Sequence, residues 1–180
     1  MSLHDAARVT VLLADYVAVD ASGKLTAVGA AFTIAPLQEN GSTTPMHVAV
    51  LVDVPGDAAG QEFSLGMSLV DDESGQPVVV PGPSGQLEPL RIAQLMRAQT
   101  PTVPGMAVPA RVPCRVQMVL GFPQGLPLEA GRTYRWAVEL DGSPRPEWST
   151  VFHVPAPAPG PVFGGPMGPA GIPSFPPPNL

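Results

Sequence analysis

The chain has 180 residues, enough for one domain and an appendage. Its charged share of 13% is roughly half the usual one, while 44% of residues are apolar. A net charge of −6 and a pI near 4.8 argue against nucleic acid, which needs a basic face to displace phosphate counterions, and against a polybasic membrane contact.

Taken in order, the first seven residues are a lead-in without the basic and apolar regions of a secretory signal. Residues 8–18 and 25–35 are two apolar, β-branched runs around the polar loop Val19-Asp-Ala-Ser-Gly-Lys24, which predicts a β-hairpin. The first run is apolar on both faces around Val11 to Leu13, as in a central strand covered on both sides. Pro36 stops the second run, and Asn40-Gly41 marks a turn.

Met46 to Val54 predicts a third strand. Val48, Val50, Val52 and Val54 share one face and His47, Ala49, Leu51 and Asp53 the other. Glu62 to Val70 predicts a half-buried strand with Phe63, Leu65, Met67 and Leu69 inward. Asp71-Asp-Glu-Ser-Gly75 is an acidic turn, and Pro77 to Val80 a short return strand. Leu87 to Ala98 fits a helical stripe or a bulged strand. The strands around it favour the strand. Thr100 to Pro113 holds four prolines and predicts an extended edge connection.

Cys114 to Phe122 predicts a further strand. The only cysteine, Cys114, sits at a strand position as a buried small residue, and it permits no disulfide within the chain. Arg132 to Leu140 is the next strand. Leu128, Gly131 and Tyr134 before and within it resemble the tyrosine corner of immunoglobulin-like sandwiches, whose hydroxyl bonds back to the preceding turn. Trp136 falls at a core position. Ser143 to Trp148 reads as a hairpin loop and Ser149 to Val154 as the closing strand. Trp148, after Pro144-Arg-Pro-Glu147, is either a contact aromatic at a loop end or a cap on the sandwich edge.

From Pro155 to Leu180 ten of 26 residues are proline, five are glycine and none is charged. Such a segment has no packed core and favours polyproline II. Val162, Phe163, Met167, Ile172, Phe175 and Leu180 punctuate it, the spacing of an extended arm that docks along a partner's groove.

No catalytic chemistry is legible. His4, His47 and His153 stand apart without metal-ligand spacing, and no phosphate loop, nucleophile elbow or CxxC occurs. The expectation is therefore no enzyme, no cofactor and no metal. It is an all-β fold, an immunoglobulin-like or jelly-roll-like antiparallel sandwich of about 7–9 strands. The sandwich spans 1–154 and the proline- and glycine-rich arm 155–180.

The opening Val-Thr-Val-Leu-Leu-Ala-Asp-Tyr-Val, the run Gly-Lys-Leu-Thr-Ala-Val-Gly-Ala-Ala-Phe-Thr, the valine-rich strand after it and Gly-Arg-Thr-Tyr-Arg-Trp-Ala-Val together resemble an uncharacterised family of small β proteins from actinobacteria and their phages. The resemblance covers residues 8–154 and implies a fold and an origin but no active site. Two functions follow as expectations. One is a non-enzymatic virion accessory component, such as a capsid-decoration protein, made in the cytoplasm and anchored through its tail to neighbouring subunits or a major capsid protein. The other is a soluble ligand- or protein-binding module with a pocket between the sheets or near Trp148.

Overall fold

The computed structural model describes residues 3–82, 84–109 and 111–158. A four-residue helix, α1 (Leu3–Ala6), leads into β1 (Arg8–Ala14), β2 (Tyr16–Val19), β3 (Leu25–Val28) and β4 (Met46–Val54). After a 3-10 turn at Gly56–Ala58 come β5 (Glu62–Asp71), β6 (Val79–Pro81), β7 (Leu87–Pro89) and β8 (Arg91–Arg97). The chain continues through β9 (Cys114–Phe122), β10 (Arg132–Leu140) and β11 (Ser143–Val154).

A three-stranded sheet, β1-β4-β9, faces a four-stranded sheet, β11-β10-β5-β8, and all pairings within them are antiparallel. This three-plus-four sandwich is the all-β architecture expected, in its immunoglobulin-like form. Two hairpins, β2-β3 and β6-β7, are appended.

The period of two sorts the core. Val48, Val50, Val52 and Val54 of β4 are fully buried and meet Phe63, Leu65, Met67 and Leu69 of β5, none more than 1% exposed. Trp136 of β10 and Phe152 of β11 are both buried in the core, and Trp136 stacks on Phe122 at 5.6 Å. Cys114 is buried as a small core residue. Burial of one such large side chain contributes roughly 1.5–3 kcal/mol.

The first run departs from its expected form. It is not a central strand: β1 lies at the sheet edge and β4 holds the centre. Nor do residues 8–18 and 25–35 pair as one long hairpin. The chain kinks at Asp15, whose N–H donates to the Val28 carbonyl at 3.0 Å. Gly29 opposite has φ +61, and a Cβ there would lie 1.9 Å from the Asp15 carboxylate. The shortened hairpin β2-β3 folds onto the outer face of the β1-β4-β9 sheet. There Ala14, Val17 and Ala49 form a second small core with Leu12, Leu25, Leu51 and Val119 around it. The double-sided apolarity of the first run thus reflects a hairpin lid.

Residues beyond Val28 cross to the other sheet. The His153 N–H donates to the Thr33 carbonyl at 2.8 Å, and the Ala35 N–H donates to the His153 carbonyl at 2.9 Å. Ile34 is thereby a parallel neighbour of β11.

Residues 87–98 are extended, interrupted at Leu90. Its N–H turns to the Val78 carbonyl and its carbonyl accepts from the Leu69 N–H, so the chain changes partner there. The expected loop at Ser143 to Trp148 is instead strand. Asp141 and Gly142, with φ of 49° and 75°, make a two-residue turn, and Leu140 pairs directly with Ser143. Positive φ at both central residues matches the strand twist. Pro144 and Pro146 are tolerated because, among the described residues, no strand is hydrogen-bonded to the other side of β11 there.

Candidate functional site

Three surfaces carry the side chains singled out in the sequence or left open by the fold. The first is the corner end. The Tyr134 hydroxyl accepts from the Glu129 N–H at 2.9 Å, five residues upstream, and Leu128 beneath it is buried. Desolvation, ahead of every other influence, raises the Tyr134 pKa above its ordinary 10.0. Beside it the acidic turn is tied down. The Asp71 carboxylate accepts from the Ser74 N–H at 2.7 Å and from the Ser74 hydroxyl at 2.8 Å, with Arg132 at 3.4 Å. The N–H of Ser74 and then its hydroxyl are the main causes that hold the Asp71 pKa below its ordinary value. Arg135 pairs with Asp72 at 2.9 Å. A shallow depression of about 270 Å³ lies here, lined by Asp71, Val78, Glu129, Arg132 and Tyr134 among others.

The same corner roots the C-terminal segment. The Gly131 N–H donates to the Val154 carbonyl at 2.7 Å, and Arg132 pairs with Val154. Gly131 has φ +78, and a Cβ on it would touch that of Ala156 at 3.6 Å. Val162, Phe163, Met167, Ile172, Phe175 and Leu180 lie outside the described residues.

The second surface is the Trp148 side. Trp148 lies within β11 and is 2% exposed, which corrects the reading of an exposed loop-end anchor and leaves the edge cap. His4 of α1 meets its ring edge-on at 4.8 Å, and the Arg145 guanidinium lies 5.1 Å from the ring centroid. Arg145 donates to Asp5 at 2.7 Å and lies 3.2 Å from His4 Nδ1, so the N-terminal turn is clasped over the indole. Sequence reading missed Arg145, because nothing local joins it to residues 140 positions away.

The third surface is β8, the last strand of the four-stranded sheet among the described residues. Leu95 is 68% exposed, and Leu87 on the neighbouring hairpin is 67% exposed. Arg91 is ion-paired to Glu139 across β5. The alternation of residues 91–97 held the signal for Leu95, since Ile92 and Met96 face the core on the opposite parity.

Among the described residues no group of three or more His, Cys, Asp or Glu is placed to hold a metal ion. No helix among them is long and apolar enough to cross a membrane.

Comparison with known protein families and with curated proteins finds no match. Among solved structures, the chain has a similarity to Pseudomonas fluorescens alkylpurine DNA glycosylase AlkC bound to DNA containing an abasic site analog. The TM-score is 0.32 at 10% sequence identity, over 81% of this chain. The chain spans 30% of that protein. At that level the likeness carries no argument about fold or activity.

Proposed function

We propose that the protein is a non-enzymatic structural and interaction protein. Its C-terminal arm grips a neighbouring protein, and it serves as a virion accessory component such as a capsid-decoration protein. The observation that carries this is the rooting of the arm. Gly131 and Arg132 hold Val154 at the start of the arm, and Tyr134, paired with Phe152 of the same strand as Val154, fixes the preceding turn through Glu129. An arm with a fixed point of departure keeps its sticky residues at high local concentration near a docked neighbour. Its uncharged, proline-rich composition suits an apolar groove on a protein. The virion setting comes from the family resemblance of residues 8–154.

Truncation after Val154 tests the proposal. The truncated chain is expected to keep the far-ultraviolet circular dichroism of the sandwich and to lose incorporation into particles. Undiminished incorporation would overturn the proposal.

One feature behind the ligand-module reading is the depression beside Tyr134. Its polar groups, Asp71, Ser74 and Arg132, are already engaged with one another, which leaves little to orient a guest. A second depression, of about 290 Å³, lies beside Trp148 and is lined by Ala7, Arg8, Val9, Arg145 and Glu147, and its Arg145 is already engaged with Asp5.

A further inference from the structure

The two ends of the four-stranded sheet are treated differently. Thr33 to Ala35 runs beside the C-terminal part of β11 and uses its outward hydrogen-bonding groups. Among the described strands nothing pairs with the outer side of β8. Leu90 and Ala98 bond towards the β5 side, through the Leu69 N–H and the Gln61 carbonyl, each at 3.0 Å. By antiparallel alternation Ile92, Gln94 and Met96 do the same. The N–H and C=O groups of Arg91, Ala93, Leu95 and Arg97 therefore point away from the sheet. An open edge of this kind is a template for another strand.

We propose that β8 pairs antiparallel with β8 of a second copy of this chain, forming a two-fold dimer with Leu95 at the axis. The reading stands apart from the role of the arm, since every residue it uses lies in the sandwich.

Side-chain chemistry selects both partner and register. Arg91, Ala93, Leu95 and Arg97 lie on the outer face, opposite Ser68, Gly66, Ser64 and Glu62 of β5. With Leu95 on the axis, the two exposed leucines cover each other, and Ala93 stands opposite Arg97 of the second copy. Beyond Ala93 in the same row is Gly66. The Glu139 side chain lies over Gly66, since a Cβ there would come within 2.5 Å of its carboxylate oxygen. Strands stand about 4.8 Å apart, so an arginine reaching across the small Ala93 meets that carboxylate. Glu139 already holds Arg91 of its own chain; Arg97 of the other copy joins it there from across Ala93, and the contact is made twice by symmetry. A register centred on Gln94 would set Arg91 against Arg97, a like-charge pair that destabilises.

Sedimentation equilibrium of the full chain up to about 0.1 mM tests this, a range that detects even a weak dimer. Wild type is expected at twice 18.6 kDa. Ala93→Pro is expected at the single-chain mass with unchanged circular dichroism, because the Ala93 N–H faces outward and proline there breaks no bond to β5. Leu95→Lys is expected to behave likewise, and Arg97→Glu to weaken the dimer at least about tenfold. A wild-type chain at 18.6 kDa throughout overturns the proposal. So does any assembly whose mass Ala93→Pro leaves unchanged.

Discussion

The Tyr134 hydroxyl accepts the Glu129 N–H at 2.9 Å and so locks the turn that precedes β10. That one bond ties the last sheet strands to the corner from which the C-terminal arm departs. Tyr134→Phe keeps the ring against Phe152, 5.9 Å away, and leaves the Glu129 N–H without its acceptor. A loss of about 1–2 kcal/mol in urea unfolding is expected.

The same hydroxyl has a pH signature. Its folded pKa is raised above 10.0, chiefly by desolvation, so the folded state holds the proton more tightly than the unfolded chain does. The stability this contributes is complete below the ordinary value and is lost as pH rises through the folded one. Unfolding midpoints of wild type should fall on the alkaline side of 10.0 more steeply than those of Tyr134→Phe. Parallel alkaline limbs would refute the assignment.

Asp71 acts in the opposite direction. Its folded pKa is depressed, first by the Ser74 N–H and hydroxyl and then by Arg132. Its contribution is present above the ordinary value of 3.8 and disappears as pH falls through the folded value. Asp71→Asn should flatten that part of the acid limb in a pH series of denaturant midpoints.

Gly125 and Thr43 form a steric lock between two loops. Gly125 has φ +71, and a Cβ on it would lie 1.9 Å from the Thr43 carbonyl oxygen. Gly125→Ala should therefore cost more than about 2 kcal/mol, through backbone strain and collision together. Thr43 is fully buried, and its hydroxyl accepts the Leu126 N–H at 2.9 Å. Thr43→Val, similar in shape, should cost about 1–3 kcal/mol by leaving that donor unpaired. Thermal melts of the two variants measure both.

The clasp over Trp148 is open to fluorescence. Arg145→Ala removes the cation from the ring and the bond to Asp5. In a Trp136→Phe background the Trp148 emission should move to longer wavelength and become quenchable by acrylamide. The stability change should stay near 1 kcal/mol, since such cation–ring contacts are worth about 0.5–2.

Much of the sandwich is written in local alternation. Phe63 to Leu69 and Val48 to Val54 name their buried faces because a strand has a period of two wherever it is placed. The tyrosine corner was legible for a similar reason, since the Tyr134 hydroxyl reaches back only five residues, to the Glu129 N–H beside the buried Leu128. What alternation cannot carry is the choice of neighbour. Trp148 looks like a loop-end anchor until Arg145 and the distant His4 close over it. The first run looks central until its own hairpin turns out to be the second cover. Leu95 is merely an apolar residue until β8 is known to end the sheet.

Side-chain period and composition act over a few residues, so the all-β class, the inward-facing residues and the change of character at Pro155 can be read along the chain. Which strand is central, which strand ends the described sheet and which aromatic is covered emerge once the sheets are assembled. Those outcomes depend on contacts between residues far apart in the chain, and burial at such contacts is a property of the assembled sheets.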